Sequence, residues 1–266
     1  MSNLFLKIFL IFLFPLFGQW DLEQSSQHKE RNKSVKKYFP IPNLELPQSS
    51  EKKEIVTHTA YTLSYNENHE QADWVAYLLT KAHTIPVVDR GNNFLPDPLV
   101  ASGTADDDDY LKSGFDRGHL APAADMKWSE QVMKESFYYS NMSPQIPSFN
   151  RGIWSALEEQ VRNWAKEYDS LYIVTGPVLK NKNKVIGPHK VTVPEYYYKV
   201  VLQYSSSGQK GIGFLLPNAA SSMPLKNFVV SIDSIEKISG IDFFWRLPNK
   251  AEKSLEKKSV LQDWTW

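Results

Sequence analysis

Five short apolar runs and one long amphipathic stripe set the limits on how this chain folds. Ile55–Tyr65 is rich in threonine, valine and tyrosine, whose branched or aromatic side chains suit a pleated strand. Trp74–Leu79 is a second such run, and the polar residues Asn66–Gln71 between them predict a hairpin turn. Leu171–Thr175, stopped by Gly176-Pro177, predicts a buried strand, and Glu195–Tyr204 and Gly211–Leu216 predict two more. Ile153, Leu157, Val161, Trp164 and Tyr168 recur at spacings of four and three, the period of an amphipathic helix. Asp125–Tyr139 predicts another helix, with Met126, Val132, Met133 and Phe137 roughly on one face. Phe228–Ile232 reads as a strand end. Asp233-Ser234-Ile235-Glu236 reads as a capping box opening a short helix that Gly240 ends. There is no internal repeat.

The 266 residues suffice for one large domain or two small ones, with a core large enough to stand without covalent staples. The absence of cysteine excludes a disulfide framework, a thiolate zinc site and a cysteine nucleophile. Thirty basic residues balance thirty acidic ones. That balance weighs against a high-affinity, non-enzymatic nucleic-acid-binding module. It leaves room for an enzyme with a locally basic cleft, because steering depends on where charge sits. Aromatic residues make up 13% of the chain, and core packing is the plain explanation.

The ends carry their own signals. Ile8–Phe17 is almost wholly apolar and follows Lys7. The run is too short to span a bilayer and suits the core of a signal peptide at residues 1–18. Export to the periplasm or the medium follows, with an uncleaved signal anchor as the alternative. Residues 19–53 are polar and proline-spaced, the pattern of a linker or an N-terminal arm lying on the domain. The globular domain is expected over 54–250. Residues 251–266 form a lysine-rich tail whose Trp264 and Trp266 dock onto the domain.

Chemistry concentrates in Phe115-Asp116-Arg117-Gly118-His119. A histidine exchanges a proton near neutral pH. An arginine keeps its charge and forks onto a phosphate. Together they suggest hydrolysis of a phosphodiester. The four aspartates 106–109 read as a solvated, mobile face rather than a metal site, since adjacent carboxylates cannot all point at one ion. Glu158 and Arg162 sit on adjacent turns at the edge of the amphipathic stripe. From the residues alone they are an exposed i,i+4 pair.

Three ordered blocks then carry a resemblance. Asp116-Arg117-Gly118-His119, Tyr139-Ser140-Asn141-Met142-Ser143-Pro144-Gln145, and Asn150-Arg151-Gly152-Ile153-Trp154 with Leu157-Glu158 resemble the DNA/RNA non-specific endonuclease family. That family includes secreted bacterial nucleases and mitochondrial endonuclease G. Thr175-Gly176-Pro177 and the Ile235-Glu236…Gly240…Phe243-Phe244…Leu247-Pro248 pattern are similar to it too. The likeness covers roughly residues 55–250.

The resemblance implies an α+β fold, a central antiparallel sheet flanked by helices, with a ββα-metal active site. It implies that His119 is the general base and that Asn150 is the one direct protein ligand of a Mg2+ ion, with Mn2+ as a substitute. By the same likeness Glu158 holds a metal-bound water, Asn141 positions His119 or the phosphate, and Arg117, Arg90 and Arg162 contact the scissile phosphate. Arg90 matches only through Asp89-Arg90 and the later Asp97-Pro98. DNA and RNA are the implied substrates, read through their backbone phosphates, with 5′-phosphate products. A chain that had kept the fold and lost catalysis would lack a base or a ligand, and His119, Asn150 and Glu158 are all present.

Overall fold

The computed structural model describes residues 41–48, 53–180, 184–206 and 208–266. Its strands, in chain order, are β1 (Glu54–Thr57), β2 (Thr62–Asn66), β3 (Gln71–Thr80), β4 (Asp116–His119), β5 (Met142–Gln145), β6 (Ser170–Pro177), β7 (Val185–Ile186), β8 (Val191–Thr192), β9 (Tyr196–Ser205), β10 (Gly208–Pro217) and β11 (Val229–Val230). Its helices are α1 (Asp107–Tyr110), α2 (Glu130–Glu135), α3 (Ser155–Tyr168), α4 (Ile232–Ser239) and α5 (Asn249–Glu256). Seven strands form one antiparallel sheet in the order β1-β2-β3-β6-β9-β10-β11. The fold is α+β, as expected.

Successive side chains of a strand point to opposite faces of the sheet, and here each face has its own core. Val75, Tyr77, Leu171, Ile173, Tyr197 and Val201 pack with Leu157, Val161 and Trp164 of α3. Trp74, Ala76, Tyr172, Val174, Val200 and Leu202 pack on the other face with Ile232 and Ile235 of α4 and with Phe243 and Phe244. Burial on both faces is why Leu171–Thr175 is an unbroken apolar run instead of an alternating one.

Outside the sheet, β4 and β5 pair antiparallel, His119 opposite Met142 and Asp116 opposite Gln145. The chain then turns through Pro147–Phe149 and a wide π-type turn, Asn150–Trp154, into α3. Gly152 breaks the helical path there, at φ −107° and ψ −112°. Two strands and a helix therefore follow one another as a ββα unit.

Several local expectations are corrected. Ile55–Tyr65 is two strands, not one, because the turn at His58–Tyr61 folds β1 back onto β2. The helix predicted over Asp125–Tyr139 is only six residues long, since Ser129 is extended and Asp125 is drawn into the core. The cap of α4 is Ser231, whose hydroxyl accepts from Ser234 N, two residues before the expected box. Asp106–Asp109 is a solvated face only at Asp107 and Asp108. Asp106 caps α1, while Asp109 is buried and accepts bonds from the N–H and Nδ1 of His189 and from Asp106 N.

The described part of the N-terminal arm lies on the domain. Leu44 is fully buried, Gln48 bridges to Asp242, and Trp245 Nε1 donates to Leu46 O. At the other end Trp264 is buried against Trp164, with ring centroids 4.4 Å apart. The apolar run at 8–17 falls outside the described residues.

Candidate active site

The motif glycine explains itself first. A Cβ on Gly118 would stand 2.2 Å from Cδ of Gln145, the buried side chain lying across it from β5. Only glycine lets the two strands of the ββα unit close with that glutamine between them. Asp116 is the joint of the unit. Its carboxylate accepts Nδ2 of Asn150 at 2.9 Å and the Nε and Nη2 of Arg151 at 2.8 and 2.6 Å. Partial burial pushes Asp116 up, and the bonds from Arg151 and Asn150 outweigh it and hold the carboxyl below its ordinary range. The acceptor also fixes the orientation of the Asn150 amide. Its N–H2 faces Asp116, which leaves Oδ1, bonded to nothing among the described residues, as the outward atom.

Arg117 and His119, two apart on β4, share a side of the strand. The Arg117 guanidinium lies 4.4 Å over Phe94 and donates to Asp107 and, at 3.3 Å, to the Tyr139 hydroxyl. The His119 ring meets Phe137 edge-on at 4.8 Å and Phe94 at 5.9 Å. Arg90 lies 5.3 Å over the same Phe137. Two phenylalanines thus hold three of the sequence-predicted residues in one group. A cleft of about 760 Å³ opens here, lined by Arg90, Phe94, Arg117, Asn150 and Arg151 among others.

His119 is 7% exposed and its Nε2 has no hydrogen-bond partner. Burial, with a smaller contribution from the Arg90 charge, pushes its pKa down to about 3. The ring is therefore neutral throughout the physiological range and offers a lone pair. Asn141 does not point at a phosphate. It is fully buried, accepts from Ala121 N and donates to Ala121 O and Ser136 O, pinning the turn that follows His119.

Behind the cleft lies a charged cluster that the sequence did not announce. Arg162 donates to the buried Asp125 at 3.0 Å, and Tyr77 donates to the other oxygen of Asp125 at 2.8 Å. Glu158 is half-buried, not exposed, and desolvation raises its pKa while the Lys199 charge pulls it back. Lys199 is fully buried, 4.9 Å over the Trp154 ring, and desolvation lowers it. The Arg90 charge acts on both Glu158 and His119, so the guanidinium stands within electrostatic reach of each. Phe94, Phe137, Asp125, Tyr77 and Lys199 carried no local signal. Asp116 did, as the first letter of the motif.

Residues 37–250 match the DNA/RNA non-specific endonuclease family. The chain belongs to that family. Mitochondrial nuclease EXOG of Danio rerio is 37% identical over 216 residues, which is 75% of this chain and 62% of that protein. Human mitochondrial endonuclease G is 34% identical over 78% of this chain and 74% of its own length. Nuclease C1 of Cunninghamella echinulata var. echinulata is 37% identical over 73% of this chain and 84% of that protein. A chain in the crystal structure of the EndoG/EndoGI complex superposes with a TM-score of 0.71 at 32% identity, covering 76% of this chain and 89% of that one. These family relatives are mitochondrial or fungal. None of them supports a bacterial or secreted origin.

An all-oxygen donor such as Asn150 Oδ1, with water completing the shell, suits a hard divalent ion of the magnesium type. The orientation imposed by Asp116 fits that use. The described residues also hold two groups of acidic or histidine ligand atoms within 4.8 Å of one another, Asp106/Asp109/His189 and Asp233/Glu236/Glu256. The first is accounted for by the α1 cap and the tether to His189.

Proposed function

We propose that this member of a metal-dependent endonuclease family hydrolyses phosphodiester bonds of both DNA and RNA, with His119 as general base and Asn150 as the direct ligand of one Mg2+. The observation that carries the reading is the pairing within one ββα unit. A buried neutral imidazole with a free Nε2 ends β4, and the first residue of β4 aims the amide of Asn150.

His119 takes the proton of the attacking water at a ring nitrogen. Its low pKa in the free protein reflects burial and the Arg90 charge. A phosphate seated beside Arg90 offsets that charge and makes the ring a stronger base when substrate is bound. Arg117 and Arg90 face the cleft and stabilise the charge that builds on the phosphoryl oxygens. Arg162, committed to Asp125, acts from behind, holding its end of α3 and Glu158 in place. An ion held at Asn150 would supply neutralisation of the phosphate charge and help for the leaving oxygen, and the phosphate would stay on the 5′ end. Glu158 would hold a water beside such an ion. A site that reads only backbone phosphate has no reason to select a base sequence or a sugar.

The test is cleavage of plasmid DNA and of a structureless RNA by the purified protein. Both are expected to be cut with Mg2+, and EDTA is expected to abolish both. Cleavage of one short DNA sequence alone, or undiminished cutting in EDTA, would overturn the reading. We also propose that residues 1–18 form an export signal; N-terminal sequencing of mature protein that begins at Met1 would refute removal.

A further inference from the structure

A group of three carboxylates lies on the sheet face opposite α3. Asp233 and Glu236 are three apart on α4 and so share one side of it. Glu256 is the last residue of α5. One carboxylate oxygen from each lies within 4.8 Å of the others. That is close enough for all three to reach one Ca2+ ion, whose oxygen ligands stand about 2.3–2.6 Å from it.

Glu256 is the decisive residue. It is only 5% exposed, and its Oε1 has no hydrogen-bond partner. A buried carboxylate without a partner is costly. Its position raises the cost further, because a helix C-terminus repels anions and Glu252 sits one turn earlier on the same side. No described residue forms an ion pair with Asp233, Glu236, Asp242, Glu252 or Glu256. Lys253 acts on Glu252. Burial and mutual repulsion raise Glu256 to about 9 and Glu236 to about 7. One oxygen of Glu236 is already fixed, accepting from Phe243 N at 2.9 Å. The group is thus held in place and concentrated, with no ion pair among the described residues.

We propose that Asp233, Glu236 and Glu256 bind a calcium ion that fastens α5 to α4, apart from the catalytic metal. The donors are all hard oxygens, with no nitrogen or sulfur among them, which favours calcium over zinc or copper. Carboxylates can bind calcium through one oxygen or two, and the exposed Asp233 leaves one side open to water. Magnesium, which demands a tight octahedron, suits the group less well.

The experiment is thermal unfolding of the full-length protein in EDTA, in CaCl2 and in MgCl2. Calcium at about a hundred times its Kd is expected to raise Tm by roughly 5 °C or more. Glu256→Gln is expected to remove that rise, to leave Mg2+-dependent cleavage unchanged, and to melt no lower than wild type in EDTA. Asp233→Asn, an exposed change that spares the core, is expected to weaken calcium at least tenfold by calorimetry. Asn150→Ala is expected to keep the calcium shift. No calcium shift in wild type would mean the carboxylates are simply protonated, and a shift retained in both Glu256→Gln and Asp233→Asn would place the ion elsewhere. Either result overturns the proposal.

Discussion

His119 is the residue on which the chemistry turns, and its environment makes a pH statement. Burial and the Arg90 charge both disfavour the imidazolium, so the folded pKa lies below 6.5, at about 3. The neutral, active ring then persists as pH falls, and the acid limb of kcat/KM is expected well below pH 6. Removing a nearby cation favours protonation. Arg90→Ala is therefore expected to move that limb to higher pH, besides lowering the rate, as a kcat/KM profile from pH 4 to 9 would reveal. A limb that stays put would separate Arg90 from the ring. Asp116 acts through Asn150 and Arg151. Partners that orient a metal ligand are worth about 10–100-fold, and Asp116→Ala is expected to lose that much activity, with a matching rise in the Mg2+ concentration needed for half-maximal rate.

At the scale of elements, the ββα unit depends on the closeness of β4 and β5. Gly118→Ala would force Gln145 aside and is expected to cost about 1–3 kcal/mol, the range for overpacking a tight contact. Gln145→Ala in the same chain is expected to restore most of that loss, read as the midpoint of urea unfolding. Failure of the rescue would mean that the backbone, not the glutamine, sets the limit. Much of this level was legible. The apolar run Trp74–Leu79 and the spacing of Ile153 to Tyr168 gave a strand and a helix, because both signals are set by local geometry. The helix expected over Asp125–Tyr139 was not legible as broken. What draws Asp125 inward is Tyr77 and Arg162, 48 and 37 residues away. The aspartates 106–109 misled for a like reason, since their partners His189 and Arg117 lie outside the run. Lys199 reads as a surface residue on any polarity scale, and only tertiary packing puts it over Trp154.

For the molecule as a whole, two cores on two faces of one sheet hold the site's scaffold, and the C-terminal tail closes the first. Trp264 packs on Trp164, Lys210 Nζ lies 4.8 Å over the Trp264 ring, and Thr265 O accepts from Trp164 Nε1 at 2.5 Å. Trp264→Ala is expected to cost about 3–5 kcal/mol, the range for a buried aromatic, measured by chemical denaturation. A loss under 1 kcal/mol would show the tail to be a passenger. The motif residues named the family because their order along the chain survives in sequence. That they meet around Phe94 and Phe137 could not be read there, since neither phenylalanine belongs to a motif. The central claim is that a buried, neutral His119 drives the cleavage. Its most direct test is single-turnover cleavage of supercoiled plasmid in saturating Mg2+ by wild type and His119→Ala, each shown by circular dichroism to be folded. The expected result is a loss of about 10²–10⁴-fold, the usual contribution of a positioned general base; a folded variant cutting at the wild-type rate would contradict it.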